Sequence, residues 1–170
     1  MPQVLIALGS NVGDRLHNLR RAVSALSQHL QIQKTSRVYE TAPMYVEDQG
    51  AFYNAALAAQ TDLSPGALLS LLKATEEELG REQRMRNGPR EIDLDLIAYG
   101  QIQYEFWDRG ELRLKLPHPR SPERRFVLQP LYDLDPDINL AGQGMIKKLL
   151  VQTDDQASSV HTIDHADLSL

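Results

Sequence analysis

Two stretches of this chain repeat leucine at helical spacing, and the segments around them read as strands; no other feature constrains the fold as strongly. Leu16, Leu19, Val23, Leu26 and Leu30 form one stripe of an amphipathic helix, with Asp14 ahead of it as a cap. Leu68, Leu71, Leu72, Thr75 and Leu79 form the second stripe. Ser64 caps that helix, Pro65 takes its first position and Gly80 stops it. Around these helices lie four β-leaning segments: QVLIALGSN, QIQKTSRVYET, FYNAALAAQTDL and IDLDLIAY. MYVEDQGA and the Arg-rich run Arg81–Arg90 read as loops. The order β-α-β-β-α-β predicts an α+β, ferredoxin-like fold, an antiparallel sheet with both helices on one face and the other face free for a site.

Beyond that core, QIQYEFWDRGELRLKL predicts a hairpin turning at Asp108-Arg109-Gly110, and SPERRFVLQPLYDL a short helix capped by Ser121. The chain has 170 residues, enough for one domain with a real core. That domain is expected over residues 1–151, with residues 152–170 a polar, acidic, mobile tail. Asp154, Asp155, Asp164 and Asp167 lie in the tail, which has no Lys or Arg and carries most of the net charge of −5. His161 and His165 in the tail stand four apart, but read as incidental. The body is therefore nearly neutral, which argues against a general nucleic-acid binder. No cysteine, secretory leader or long apolar run is present, so a cytoplasmic chain with no membrane partner is expected. A monomer is expected too, although no sequence feature sets the oligomeric state. The basic residues are mostly arginine, 13 against 5 lysines. Arg81, Arg84, Arg86 and Arg90 fall within ten positions, and Arg120, Arg124 and Arg125 form a second group. Arginine's planar fork suits phosphate oxygens, although an arginine-rich run also makes an ordinary solvated face.

The segment GPREIDLDLIAYG holds the chemistry. Ile92, Leu94 and Leu96 read as the buried face of a strand, so Asp93 and Asp95 leave its other side together. Two such carboxylates repel, and each raises the other's pKa. A solvated polar face would tolerate them. A divalent cation would offset them, because Mg²⁺ takes one or two carboxylates and completes its shell with water and phosphate. Mg²⁺ beside arginine is the equipment of phosphoryl transfer. No P-loop, HExxH, GxSxG or CxxC motif occurs.

RNGPREIDLDLI (Arg86–Ile97) resembles the signature of the 6-hydroxymethyl-7,8-dihydropterin pyrophosphokinase family. The resemblance extends over most of residues 1–150, through ALGSN, YETAP, FYNAA, ELGR, LPHPR and RRFVLQPL in order. It implies a ferredoxin-like core and transfer of pyrophosphate from ATP to the pterin's hydroxymethyl oxygen, with release of AMP. It further implies two Mg²⁺ ions held by Asp93 and Asp95, and Arg81 and Arg90 engaging phosphates or organising the loop around them. Glu76, Arg84, His118 and Arg124 would lie on the ATP side. Thr41, Pro43, Met44, Phe52, Asn54 and Phe126 would line the pterin slot, the two phenylalanines stacking and Asn54 reading the ring edge. Taken alone, Phe126 reads as a core residue of its helix, and Arg120 and Arg125 as surface charges. The chain departs from the family pattern at Gln83, where many members have arginine, and at Asn87, where some have a tryptophan that closes over the pterin. Two other functions stay open at this point. A metal-dependent phosphohydrolase would need no aromatic slot, and an RNA-binding module would need a basic sheet face with exposed aromatics.

Overall fold

The computed structural model describes residues 1–42, 50–80, 91–164 and 166–169. Strand β1 (Gln3–Ser10) leads through the GSN turn into helix α1 (Arg15–Ser27). The Asp14 carboxylate caps that helix by accepting from the His17 N–H at 3.0 Å, as its place before the stripe predicts. The next segment is two strands, β2 (Gln31–Thr35) and β3 (Tyr39–Thr41), and not the continuous one expected. Between them Ser36 exchanges bonds with Ala56. Its N–H donates to the Ala56 carbonyl, and its Oγ accepts the Ala56 N–H, both at 2.8 Å. A side-chain hydroxyl has thus replaced one rung of the ladder, and the strand bends there.

Strand β4 (Phe52–Gln60) is the sheet's centre. It pairs antiparallel with β1 on one side and with β2 and β3 on the other. Its alanines explain why so weak a β pattern forms the central strand. Ala55 and Ala59 pack under α1 and α2 (Pro65–Glu78), while Ala56 and Ala58 pack under a helix on the opposite face. Small side chains on both faces let both helical layers approach. Helix α2 follows its capping signals: Ser64 Oγ accepts from the Ala67 N–H, and Gly80 exits at φ +96°. Strand β5 (Asp93–Tyr99) pairs with β1, so the core strands run in the ferredoxin-like order, with β2 and β3 together as the second strand.

The hairpin forms as predicted, β6 (Tyr104–Asp108) to β7 (Glu111–Leu116), with Arg109 and Gly110 both at positive φ in the turn. Two expectations need correction beyond it. Ser121 opens a 3-10 turn, Ser121–Glu123, and is buried; helix α3 (Arg125–Leu134) starts later, and its N-cap residue, Arg124, makes no side-chain capping bond. The face opposite α1 and α2 is also not wholly free. After the short ladder of β8 (Asn139–Leu140) and β9 (Gly144–Met145) comes helix α4 (Ile146–Gln152). Val127, Leu128, Leu131, Ile146 and Leu149 of α3 and α4 build a second core with Leu5, Ala58, Ile97 and Ala98. Among the described residues, the end of the sheet toward Gly9, Asn54 and Asp93 is left for a site.

The polar C-terminal stretch differs from the free tail expected of it. A 3-10 helix, Asp154–Ser159, leads into β10 (Val160–Thr162), which pairs with β3, and Leu168 is buried in the main core. Its apolar residues are too sparse to form a periodicity, and the strand it joins lies far away in sequence. Among the described residues, no helix is long and apolar enough to cross a membrane.

Candidate active site

The open end of the sheet is paved by cross-strand neighbours. Tyr39, Asn54, Gly9 and Asp93 stand opposite one another in one row, with Ala56, Ala7 and Asp95 in the next. Residues in register share a face. Asp93 and Asp95 therefore lie beside Asn54, separated only by glycine and alanine, and on the side away from α1 and α2. The strand's alternation predicted that side, because Leu94 and Leu96 fill the main core.

At one end of the row a polar pair forms. Asn54 Nδ2 donates to Thr41 Oγ1 at 2.6 Å, and both residues are buried. Phe52 follows on the same face of β4, its ring edge close over Gly9. Gly9 is the close approach that only glycine permits without displacement, since a Cβ there would stand 3.2 Å from Asn54 Oδ1. Phe126 sits in the first turn of α3, half-buried against the second core, with the Arg124 guanidinium 5.7 Å from its ring centroid. It is thus both a core residue, as its helix alone suggests, and a neighbour of the charged site.

At the other end the carboxylates cluster. Burial first, and then the neighbouring Asp93, push the Asp95 carboxyl up to about 7. Glu76 adds to that rise, and Lys73 and Arg124 oppose it. Glu76, expected on the nucleotide side, is 1% exposed, and Oε1 accepts the Leu94 N–H at 2.7 Å. Its carboxylate pins β5 between the two aspartates, and Oε2 lies 3.4 Å from Lys73 Nζ. Lys73 is a site residue that sequence reasoning missed. The only available signal was its place one helical turn before Glu76.

His118 is fastened to the same strand, its N–H donating to the Ile97 carbonyl at 2.8 Å, while Gln143 Nε2 donates to the His118 carbonyl at 2.9 Å. Burial, with Arg124 and Arg120 next, lowers its pKa to about 4 against a smaller opposing pull from Asp93. The imidazole is therefore neutral at pH 7. Nδ1 accepts the Arg120 N–H at 3.2 Å, which leaves the ring proton on Nε2 as a donor. Of the two surface charges expected nearby, Arg120 pairs with Glu123 at 2.7 Å. Arg125 is largely buried and donates to the Leu150 carbonyl at 2.8 Å, so its role is to hold α4. Asn11, from the GSN turn, donates to the Gly50 carbonyl and ties β1 to the start of β4. Pro43, Met44, Arg81, Arg84 and Arg90, with Gln83 and Asn87, lie outside the described residues.

Two Asp carboxylates on one strand face are hard oxygen donors held close enough that Asp93 helps raise the pKa of Asp95, a donor set that fits Mg²⁺. No group of three or more metal-ligating side chains occurs among the described residues, so water and substrate oxygens would complete the shell of any ion bound here.

The architecture is that of a ferredoxin-like α+β protein in which one sheet end, open among the described residues, carries an acid pair and a polar pair side by side. Residues 5–136 match the family described as 7,8-dihydro-6-hydroxymethylpterin-pyrophosphokinase (HPPK), and the chain belongs to that family. It is 41% identical over 138 residues to the 2-amino-4-hydroxy-6-hydroxymethyldihydropteridine pyrophosphokinase of Aquifex aeolicus, covering 81% of this chain and 83% of that one. It is 47% identical over 133 residues to the mitochondrial folate synthesis bifunctional protein of Pisum sativum, covering 78% of this chain. That alignment spans 25% of the pea protein's length. In fold it is similar to the Plasmodium falciparum HPPK-DHPS crystal structure, at TM-score 0.75 and 15% identity, over 92% of this chain and 46% of that one.

Proposed function

We propose that this chain transfers a pyrophosphoryl group from ATP to the hydroxymethyl oxygen of 6-hydroxymethyl-7,8-dihydropterin, giving AMP and the pterin diphosphate in folate synthesis. One observation carries the reading. The Asn54–Thr41 pair and the Asp93–Asp95 pair lie on the same sheet face, a single glycine strand apart. A flat heterocycle read at its edge by Asn54 would hold its exocyclic hydroxyl toward the carboxylates. Phe52 and Phe126 would supply its stacking faces.

Asp93 and Asp95 would hold Mg²⁺, two ions in this reading. Bound there, Mg²⁺ would neutralise charge on the triphosphate oxygens and orient them for in-line transfer. The remaining work belongs to the chain. Asn54 Nδ2 is engaged by Thr41, so Oδ1 is the acceptor for the ring's N–H edge. Arg124 and Lys73 supply fixed positive charge beside the acids, and His118 offers a neutral Nε2–H to a phosphate oxygen. Glu76 holds β5 so that neither aspartate swings away. Arg81, Arg84 and Arg90 would complete the phosphate side, and Pro43 and Met44 the pterin side. The same reading carries a cytoplasmic monomer acting on two small molecules, with neither nucleic acid nor membrane as partner.

The test is incubation with ATP, Mg²⁺ and the pterin alcohol, followed by separation of the nucleotides, beside an Asp95→Ala control. AMP that forms only with pterin present, and disappears in the control, is the expected result. Phosphate or ADP released with or without pterin would replace this reading with a hydrolase or an ordinary kinase.

A further inference from the structure

Helix α3 begins at Arg125, and its N-cap residue, Arg124, makes no side-chain capping bond. The missing acceptor comes from the C-terminal segment. Gln156 Oε1 accepts the Arg125 N–H at 3.0 Å, and Gln156 Nε2 donates to the Glu123 carbonyl at 2.8 Å. These two bonds clasp the residues on either side of Arg124, directly before Phe126. Four residues later the same segment becomes β10, with Val160 opposite Thr41, His161 opposite Glu40 and Thr162 opposite Tyr39.

Strand β3 is three residues long, and without β10 it would be a bare sheet edge. The Ile163 N–H donates to the Val38 carbonyl at 2.8 Å. Antiparallel ladders alternate, so the next bonded pair is His161 with Glu40, the residue just before Thr41. Beyond β10 the segment is anchored to the body by Leu168, 2% exposed in the core, and by Arg20 Nε on the Asp167 carbonyl at 2.8 Å. The family match ends at residue 136, so the C-terminal partner in each of these contacts lies beyond it.

We propose that residues 156–162 are a strap that fixes the width of the pterin slot. Gln156 positions the Phe126 wall, and β10 positions the Thr41 wall with the Asn54 it holds. Both are positioning roles, because the strap acts on the slot through the residues it bonds: Gln156 through the Arg125 N–H and the Glu123 carbonyl, and Thr162 through Tyr39, which stands opposite Asn54. The proposal rests on the slot assignment made above.

Gln156→Ala removes the α3 clasp, and His161→Pro removes one β10–β3 bond and disturbs the edge. The readout is the equilibrium Kd of the purified full chain for 6-hydroxymethyl-7,8-dihydropterin and, separately, for Mg²⁺-ATP. Each variant is expected to weaken pterin binding roughly fivefold, the worth of about one hydrogen bond, with ATP binding unchanged in His161→Pro and weakened less than pterin binding in Gln156→Ala, whose clasp also flanks Arg124. A fall in melting temperature with pterin Kd unchanged, or equal weakening toward both ligands, would overturn the strap's role. If His161→Pro fails to fold, Gln156→Ala decides, since it removes only two bonds at a partly exposed side chain. Asn54→Ala is measured alongside. Loss of pterin affinity there with no effect of the strap variants defeats the strap alone, whereas unchanged affinity in Asn54→Ala defeats the slot and the strap with it.

Discussion

On the face beneath α1 and α2, strands β1, β4 and β5 bury Val4, Ile6, Leu8, Leu57, Leu94 and Leu96. On the opposite face, at the same level of the same strands, stand Ala7, Gly9, Asn54, Ala56, Asp93 and Asp95. Alternation along each strand makes the two faces neighbours at every residue, yet one face is selected for burial and the other for what it leaves open. The apolar face holds the strands in place. The polar face then keeps two like charges closer together than either would settle alone. The difference predicts opposite responses to substitution, and each experiment below breaks or sharpens it.

The largest effect belongs to the acids. Asp95→Ala should lower turnover on the order of 10³-fold, the loss expected when several kcal/mol of charge stabilisation at the phosphates disappears. Its melting temperature should hold or rise, because a repelled carboxylate has gone. A variant that loses activity by unfolding would erase the contrast between the faces. Leu57→Ala, fully buried on the other face, should do the reverse. It should cost about 2–5 kcal/mol of stability in denaturant titration, with turnover per folded molecule little changed.

A subtler contrast lies in pH. The Asp95 carboxyl, ordinarily near 3.8, is raised to about 7 in the folded protein. Between those values the folded state holds a proton that the unfolded chain has released, so stability falls as pH rises through that window. Below it the acid is protonated in both states and the penalty vanishes; above it the penalty is complete. In EDTA, melting temperatures should carry this downward component between about pH 4 and pH 7, and Asp95→Asn should remove it. Added Mg²⁺ should stabilise most above pH 7, where the Asp95 carboxylate is charged. Wild type and Asp95→Asn melting in parallel across the range would show that the pair is not under strain.

These contrasts also show which parts of the molecule could be read in advance. The helix stripes were legible because a 3.6-residue period repeats over several turns, and the side taken by Asp93 and Asp95 because β alternation is local. The break at Ser36 was not, since a hydroxyl in place of a rung depends on Ala56 across the sheet. The strap was not, because Val160, Ile163 and Leu168 are too isolated to make a pattern. Lys73 was hidden for a related reason. It is placed by its ion pair with Glu76, whose carboxylate reaches across to Leu94. The places of Thr41, Phe52, Asn54 and Phe126 in a slot came from family resemblance, since nothing in their spacing distinguishes a slot from a core.

The smallest predicted effect tests the row between the two halves of the site. Gly9 lies opposite both Asn54 and Asp93 and has an ordinary negative φ, so alanine suits its backbone. A methyl there would stand 3.2 Å from Asn54 Oδ1 and 3.7 Å from Phe52 Cδ1. Asn54 would have to yield by a few tenths of an ångström, against a 2.6 Å bond to Thr41 that allows little slack. Gly9→Ala should therefore weaken pterin binding by about three- to tenfold, equivalent to roughly 1 kcal/mol. Replacing glycine also restricts the unfolded chain, a stabilising contribution of about 0.4–1 kcal/mol, so the melting temperature should not fall with the affinity. Affinity and stability moving apart would place Gly9 with the acids on the face kept open for ligand. Affinity falling together with stability would place it with Leu57, as packing.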